Sequence, residues 1–297
     1  MRVVVMFLGG TMKKYVQLYI ADLKMQNYSE KTLKSYRNAI LRFIAQLDSE
    51  VDDIEDINTI HIKSYIQSIE GKASYVNATI KRLRGWFKWL VEEEFIEVNP
   101  MRKIKLLREN KTIINTFSDE EVKRMLEVFD GSDILSVRNK TIIYVLFGSG
   151  IRCSELINLR VDDIKLDYLL IRNPKNRKDR VVPLPNALRK QLNRYLRARK
   201  GFNSEYIFMS KNDLQLTIEA IERVVSRCGI IADVNPNIRC SPHTIRHYYC
   251  QYQLRHNVNI YSLSRIMGHS NIAITNRYLQ GITNQQIIEE TTINPLN

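Results

Sequence analysis

The sequence predicts a mainly α-helical protein with one small β-sheet, arranged as two domains. Three observations predict it. Apolar residues recur at helical spacing along most of the 297 residues. One pair of short apolar runs, VDDIKLDYLLIR and KDRVVPLP, flanks a polar turn from Asn173 to Asp179, as in a hairpin. A basic, weakly periodic stretch at 99–115, NPMRKIKLLRENKTIIN, separates two helical regions and reads as a linker able to run along phosphate, or as an ordinary surface connection.

The elements follow in order. MRVVVMFLGGTMKK has too short an apolar stretch and no convincing small-residue cleavage site for a signal peptide, so residues 1–12 read as an N-terminal extension, with Met12 an alternative start. In the first domain, 13–98, YVQLYIADL and TLKSYRNAILRFIAQL give two amphipathic helices, with Ser29 an N-cap for the second. DSEVDDIEDI reads as a solvated loop. Helices resume after Thr59, taken as a cap, and over ASYVNATIKRLRGWFKWLVEEE, until Asn99-Pro100 closes the region. The second domain, 116–297, opens on a capping box, Ser118 with Glu121. NKTIIYVLFGSG is a buried helix ending on glycine, and RCSELINL is a short helix beyond a tight turn. After the hairpin come helices at NALRKQLNRYLRARK, LTIEAIERVVSRCG, PHTIRHYYCQYQLRH, IYSLSRIMGH, IAITNRYL and TNQQIIEETT. Ser241-Pro242 supplies an N-cap and N1 pair.

Composition narrows the class. Hydrophobic residues make up 44%, enough for two cores, and no apolar run is long enough to span a bilayer. The net charge of +13 favours a polyanionic partner. Residues 1–112 hold 19 basic and 14 acidic side chains and the remainder 26 and 18, so both halves are basic, which suits a protein holding DNA from two sides. Cys153, Cys228, Cys240 and Cys250 form no C-x-x-C pair, so they read as buried or idle thiols in a reducing cytosol.

One set of side chains points to phosphate chemistry. His243 and Arg246 sit three apart at a helix start, where free N–H groups and the dipole already attract anions. Arginine adds a planar fork for two oxygens, and histidine can donate to an oxygen or take a proton. The plainer reading is a surface arginine and a capping histidine. Arg152 follows Gly148-Ser149-Gly150, with Glu155 one turn on to orient its guanidinium or simply to pair with it. Lys175 lies in the hairpin turn with Arg177 and Lys178, and Arg180 follows; spacing alone does not choose Lys175 over Lys178 as an acid, and phosphate contact is the plainer role for each. His269 after Gly268 reads equally as a helix C-cap. Tyr278 is one of 15 tyrosines, and a phenol near pKa 10 attacks only where cations help remove its proton.

GIRCSELINLRVDDI, KNRKDRVVPLP, HTIRHYYC and SRIMGHSNIAITNRYL together resemble the tyrosine recombinase (phage integrase) family, in order and in register from about Phe117 to Tyr278 and more weakly over 13–98. The length looks most like the Xer branch. The resemblance implies a C-shaped, two-domain DNA clamp with a helical, SAM-like core-binding domain. It implies a nucleophile, Tyr278, that forms a 3′-phosphotyrosine, and Lys175 as the acid for the 5′ oxygen. Arg152 and Arg246 would neutralise the nonbridging oxygens, His243 would assist proton removal and His269 would hydrogen-bond the phosphate. It further implies double-stranded DNA as partner, a tetramer on two duplexes (of this chain, or with a paralogue), no cofactor, no metal, and a cytoplasmic, nucleoid-associated protein. Lys81, Arg82, Arg84 and Lys88, on a helix whose Ile80, Leu83, Phe87 and Leu90 face the core, are expected to lie on DNA with Arg177, Lys178 and Arg180. The task is then chromosome dimer resolution or integration and excision of a mobile element. Two rivals remain: a type IB topoisomerase, which would relax supercoils without strand exchange, and a DNA-binding regulator without catalysis, which would form no covalent adduct.

Overall fold

The computed structural model describes residues 4–47, 51–109, 115–172, 179–201, 204–269 and 271–279; side chains are described from Met12 onward, and on the last helix for Ile272, Ile274, Thr275 and Asn276. The chain forms two compact units, 1–111 and 112–297.

In the first unit, α1 (Val4–Met25), α2 (Glu30–Ile44), α3 (Thr59–Ser68) and α4 (Ala73–Glu92) enclose an aromatic core. α1 begins at Val4, so most of the segment expected as an extension is the opening of this helix, and Met12 is buried in the core. Ser29 caps α2, its hydroxyl accepting from Thr32 N–H. On α4, Val76, Ile80, Leu83, Phe87 and Leu90 recur every three or four residues and are buried, joined by Trp86 and Trp89. Phe43 of α2 meets Trp86 and Phe87 edge-on at 6.5 and 5.9 Å between centroids.

Three further expectations change here. Asn58, not Thr59, caps α3: its side-chain oxygen accepts from Ile60 N–H at 2.8 Å, while the Thr59 hydroxyl donates to the Pro100 carbonyl. The acidic stretch is not a plain solvated loop, because Val51, Ile54 and Ile57 recur every three residues and are buried below a 3₁₀ turn at Ile54–Asp56. The first part of the linker packs on this unit: Met101 and Ile104 enter the core, and the Asn77 amide binds both the N–H and the carbonyl of Leu107.

The second unit is built around α6 (Ile134–Ser149), apolar on most faces and packed by α5 (Asp119–Glu127), α8 (Asn186–Ala198), α9 (Ile218–Ile231) and α10 (Pro242–Arg255). Ser118 and Glu121 close a reciprocal capping box. α7 (Cys153–Ile157) precedes the antiparallel hairpin of β1 (Tyr168–Ile171) and β2 (Arg180–Pro183), in which Leu169 pairs with Val182. Leu169, Ile171 and Val182 face the core and Val181 faces out, the two-residue period of a half-buried ribbon. α11 (Ile260–Met267) and α12 (Ile272–Leu279) follow α10. All four cysteines are free thiols, and burial pushes Cys228 up to about 12. No helix among the described residues is long and apolar enough to cross a membrane.

Candidate active site

Two left-handed glycines set the site. Gly150 ends α6 with φ 60°, and a Cβ there would lie 2.4 Å from the Tyr249 ring. Gly268 ends α11 with φ 63°; the N–H groups of Gly268 and His269 close the helix on the Arg265 and Ser264 carbonyls. Between these turns lie Arg152, Arg246 and His269.

Arg246, on the first turns of α10, is only 4% exposed. Nη1 donates to the Gly150 carbonyl at 2.8 Å and Nη2 to the Met267 carbonyl at 2.6 Å, so one guanidinium ties both glycine turns together. Nη2 also lies 3.1 Å from His269 Nε2. A guanidinium only donates, so Nε2 accepts, and the ring proton sits on Nδ1, which donates to Thr275 Oγ1 at 2.8 Å. Burial, then the charges of Arg246, Arg152 and Arg180, push His269 down to about 4, with Glu155 opposing. The ring is therefore neutral at pH 7.

Arg152 begins α7. Its backbone N–H donates to Glu155 Oε2 at 2.7 Å and its Nη1 to Oε1 at 2.9 Å, while Nη2 donates to the Gly268 carbonyl at 3.1 Å. It keeps 40% of its side-chain surface open. Burial alone would raise the Glu155 carboxyl, but hydrogen bonds and charge from Arg180 and Arg152 hold it down at about 2.

His243 stands exposed on the first turn of α10, below the Ser241 cap, whose hydroxyl accepts from Thr244 N–H. Its Nε2 lies 2.8 Å from Nε2 of His247, a buried histidine one turn on. Burial first, then Arg246 and Arg239, lowers His243; burial, His243 and Arg246 push His247 down to about 4. One ring donates and the other accepts.

The structure thus brings together Arg152, Glu155, Arg246 and His269, with His243 on the same α10 as Arg246. Position 278 falls on α12, one turn beyond Thr275; the Tyr278 side chain lies outside the described residues, as do Lys175, Arg177 and Lys178. The other tyrosines near the site are poorly suited to attack. Burial and a hydrogen bond to Asp119 raise Tyr248, and burial pushes Tyr249 up to about 12. Tyr252 stacks on His256, and Tyr261 lies beside Arg265 on the first turn of α11, whose other end is Gly268.

Arg180 corrects the sequence reading. It is not an open phosphate contact: its side chain is 11% exposed and forks onto Glu155. Arg84 is half-buried and donates to the Ile104 carbonyl, whereas Lys81 and Lys88 stand exposed, Lys88 beside Glu92. Two site neighbours went unread. His247 was signalled by its i,i+4 spacing from His243 within HTIRH; Thr275 had no signal beyond lying one turn before Tyr278.

Comparison with known proteins finds relatives along most of the chain. The model of the phage integrase family matches residues 115–284, and that of the phage integrase N-terminal SAM-like domain matches 16–94. A tyrosine recombinase of Thermosipho africanus is 29% identical over 281 residues, 90% of this chain and 95% of the relative. Tyrosine recombinase XerA of Pyrococcus furiosus is 28% identical, covering 86% and 85%. A lambda integrase dimer bound to a COC′ core site shares the fold at a TM-score of 0.75, with 16% identity over 92% of this chain and 96% of that one.

Proposed function

The chain belongs to the phage integrase family and is a site-specific tyrosine recombinase, an enzyme that cuts and rejoins DNA; we propose that it does so through the six residues Arg152, Lys175, His243, Arg246, His269 and Tyr278. The observation that carries this reading is the convergence of Arg152, Arg246 and His269 on the turn at Met267 and Gly268, four residues before the helix that bears position 278 begins.

In this reading a scissile phosphate settles against Arg152 and Arg246, which neutralise its nonbridging oxygens as charge grows in the transition state. Tyr278 attacks phosphorus, the P–O5′ bond breaks, and Lys175 protonates the departing oxygen. His243, neutral at pH 7, can take the phenol proton, with His247 holding its Nε2. His269 is neutral in the free protein and its Nε2 is an acceptor. The arriving phosphate supplies a negative charge that raises its affinity for a proton and turns it into a donor. The phosphoester energy is kept in the 3′-phosphotyrosine, so a partner strand's 5′ hydroxyl reseals the DNA without another energy source. Fixed cations fill the electrostatic role that a divalent metal plays in other phosphoryl transfers.

The first unit would bind duplex through the outer face of α4, with Lys81, Arg82 and Lys88 on phosphate. Exchange between two sites needs four active centres, hence four copies on two duplexes. Chromosome dimer resolution and mobile-element movement both fit this chemistry. The deciding experiment is covalent trapping on a nicked suicide duplex with EDTA present, using candidate sites. Wild-type protein should form an adduct and Tyr278→Phe none; an adduct from Tyr278→Phe removes Tyr278 as nucleophile, and relaxation without exchange between labelled sites favours topoisomerase action.

A further inference from the structure

We infer that Arg180 is a positioning residue for strand cleavage, acting on Arg152 through Glu155 rather than touching DNA. The inference rests on the recombinase reading above. Arg180 opens β2, directly after the hairpin turn, and its side chain turns inward. Nη1 and Nη2 donate to Glu155 Oε1 and Oε2 at 2.8 Å each, and Nε donates to the Ile266 carbonyl at 2.6 Å. The backbone of Gly268 lies over this guanidinium so closely that a Cβ there would sit 3.1 Å from its Cδ, Nε and Cζ atoms. The same Gly268 gives its carbonyl to Arg152. Arg180 therefore fixes both groups that hold Arg152: the carboxylate and the α11 turn.

Charge makes the role more than a brace. Glu155 accepts from Arg152 on one side and from Arg180 on the other, and its side chain is 12% exposed. A carboxylate shared by two guanidiniums leaves the trio with one net positive charge. With Arg180 gone, the shielded carboxylate and Arg152 form a neutral pair, and Arg152 has less field to offer an anion. Arg180 occupies the Glu155 carboxylate so that Arg152 remains positive toward the phosphate.

Single-turnover cleavage by Arg180→Met, measured on a normal phosphodiester and on a methylphosphonate at the scissile position, tests this. In both, the tyrosine–phosphorus bond forms as P–O5′ breaks and one proton passes from the phenol to the departing oxygen. The phosphodiester, already an anion, goes on to a doubly negative transition state over two nonbridging oxygens, whereas the neutral methylphosphonate reaches a single negative charge on one, so only the first needs the full cationic field. Arg180→Met should lose about 100-fold on the phosphodiester and less than about 10-fold on the methylphosphonate, while its noncovalent affinity for the duplex stays within about threefold of wild type. Arg180→Met with Glu155→Gln, which removes the screening carboxylate as well, should recover phosphodiester cleavage above Arg180→Met alone. Equal losses on both substrates, a double variant below the single one, unchanged cleavage, or a loss of DNA binding that matches the loss of cleavage would each overturn the inference. Wild-type protein that yields no covalent adduct would instead sink the recombinase reading beneath it.

Discussion

The first unit is held by rings, and the turn region of the second by guanidinium groups. Trp86, Phe43 and Phe87 are fully buried and touch through faces and edges. Arg246 is nearly as buried, yet it is held by two carbonyls and an imidazole. An aromatic core needs volume and tolerates small shifts. A guanidinium seat needs each acceptor in place, and a missing one leaves a buried donor unpaired at a cost of about 1–3 kcal/mol. Shape stabilises the first region; direction and charge organise the second.

Phe43→Ala should expose this contrast most strongly, lowering unfolding free energy by about 3–5 kcal/mol through a cavity under α4. Chemical denaturation followed by circular dichroism measures it, and a loss under about 1 kcal/mol would mean the rings are loosely packed. Arg246→Lys should leave stability closer to wild type but slow single-turnover cleavage by about 100- to 1,000-fold, since an ammonium cannot span the Gly150 and Met267 carbonyls together; cleavage within tenfold of wild type would show that charge alone suffices. Acid should separate the regions more gently. His247 and His269 titrate near 4 when folded against an ordinary 6.5, so the folded protein binds fewer protons. Their stabilising effect is complete above about 6.5 and is lost as pH falls from there toward 4. Thermal unfolding at stepped pH reads this, and a flat profile over that window would contradict the neutral assignment of both rings. Asn58→Ala should cost about 1 kcal/mol by uncapping α3, with Thr59→Ser, away from the cap, smaller. Lys88→Ala should change stability by under about 0.5 kcal/mol, because its pair with Glu92 is exposed, while lowering the salt slope of duplex binding by about one.

The same contrast explains what the sequence revealed. Local signals carried the helices: Ser118 with Glu121, Ser241 before Pro242, Gly150 after an apolar run, and the three- to four-residue spacing along α4. Each acts within a turn or two, where a reader of the chain can see both partners. Arg180 could not be read this way. It stands beside a turn rich in similar cations, and its burial is set by Glu155, 25 residues earlier. Val51, Ile54 and Ile57 were hidden by the carboxylates between them, and Met101 and Ile104 by neighbouring lysines and arginines. At the cap of α3, Asn58 and Thr59 are both able residues, and only the backbone angles choose. The arginine and histidine motifs were legible because their order along the chain is itself distinctive, even though their meeting depends on contacts spanning about a hundred residues.

Position 150 shows what that distance implies for heredity. Its alphabet has one letter: any other residue meets a backbone angle that L side chains resist and the Tyr249 ring as well. A newly added methyl would press on the Tyr249 ring and force the Gly150 backbone to shift, and with it the carbonyl that seats Arg246, so that strand cutting would fall although Arg246 itself is unchanged. Loss-of-function alleles at this codon would look catalytic in a cleavage assay, while an unfolding curve would show that their lesion is one of shape.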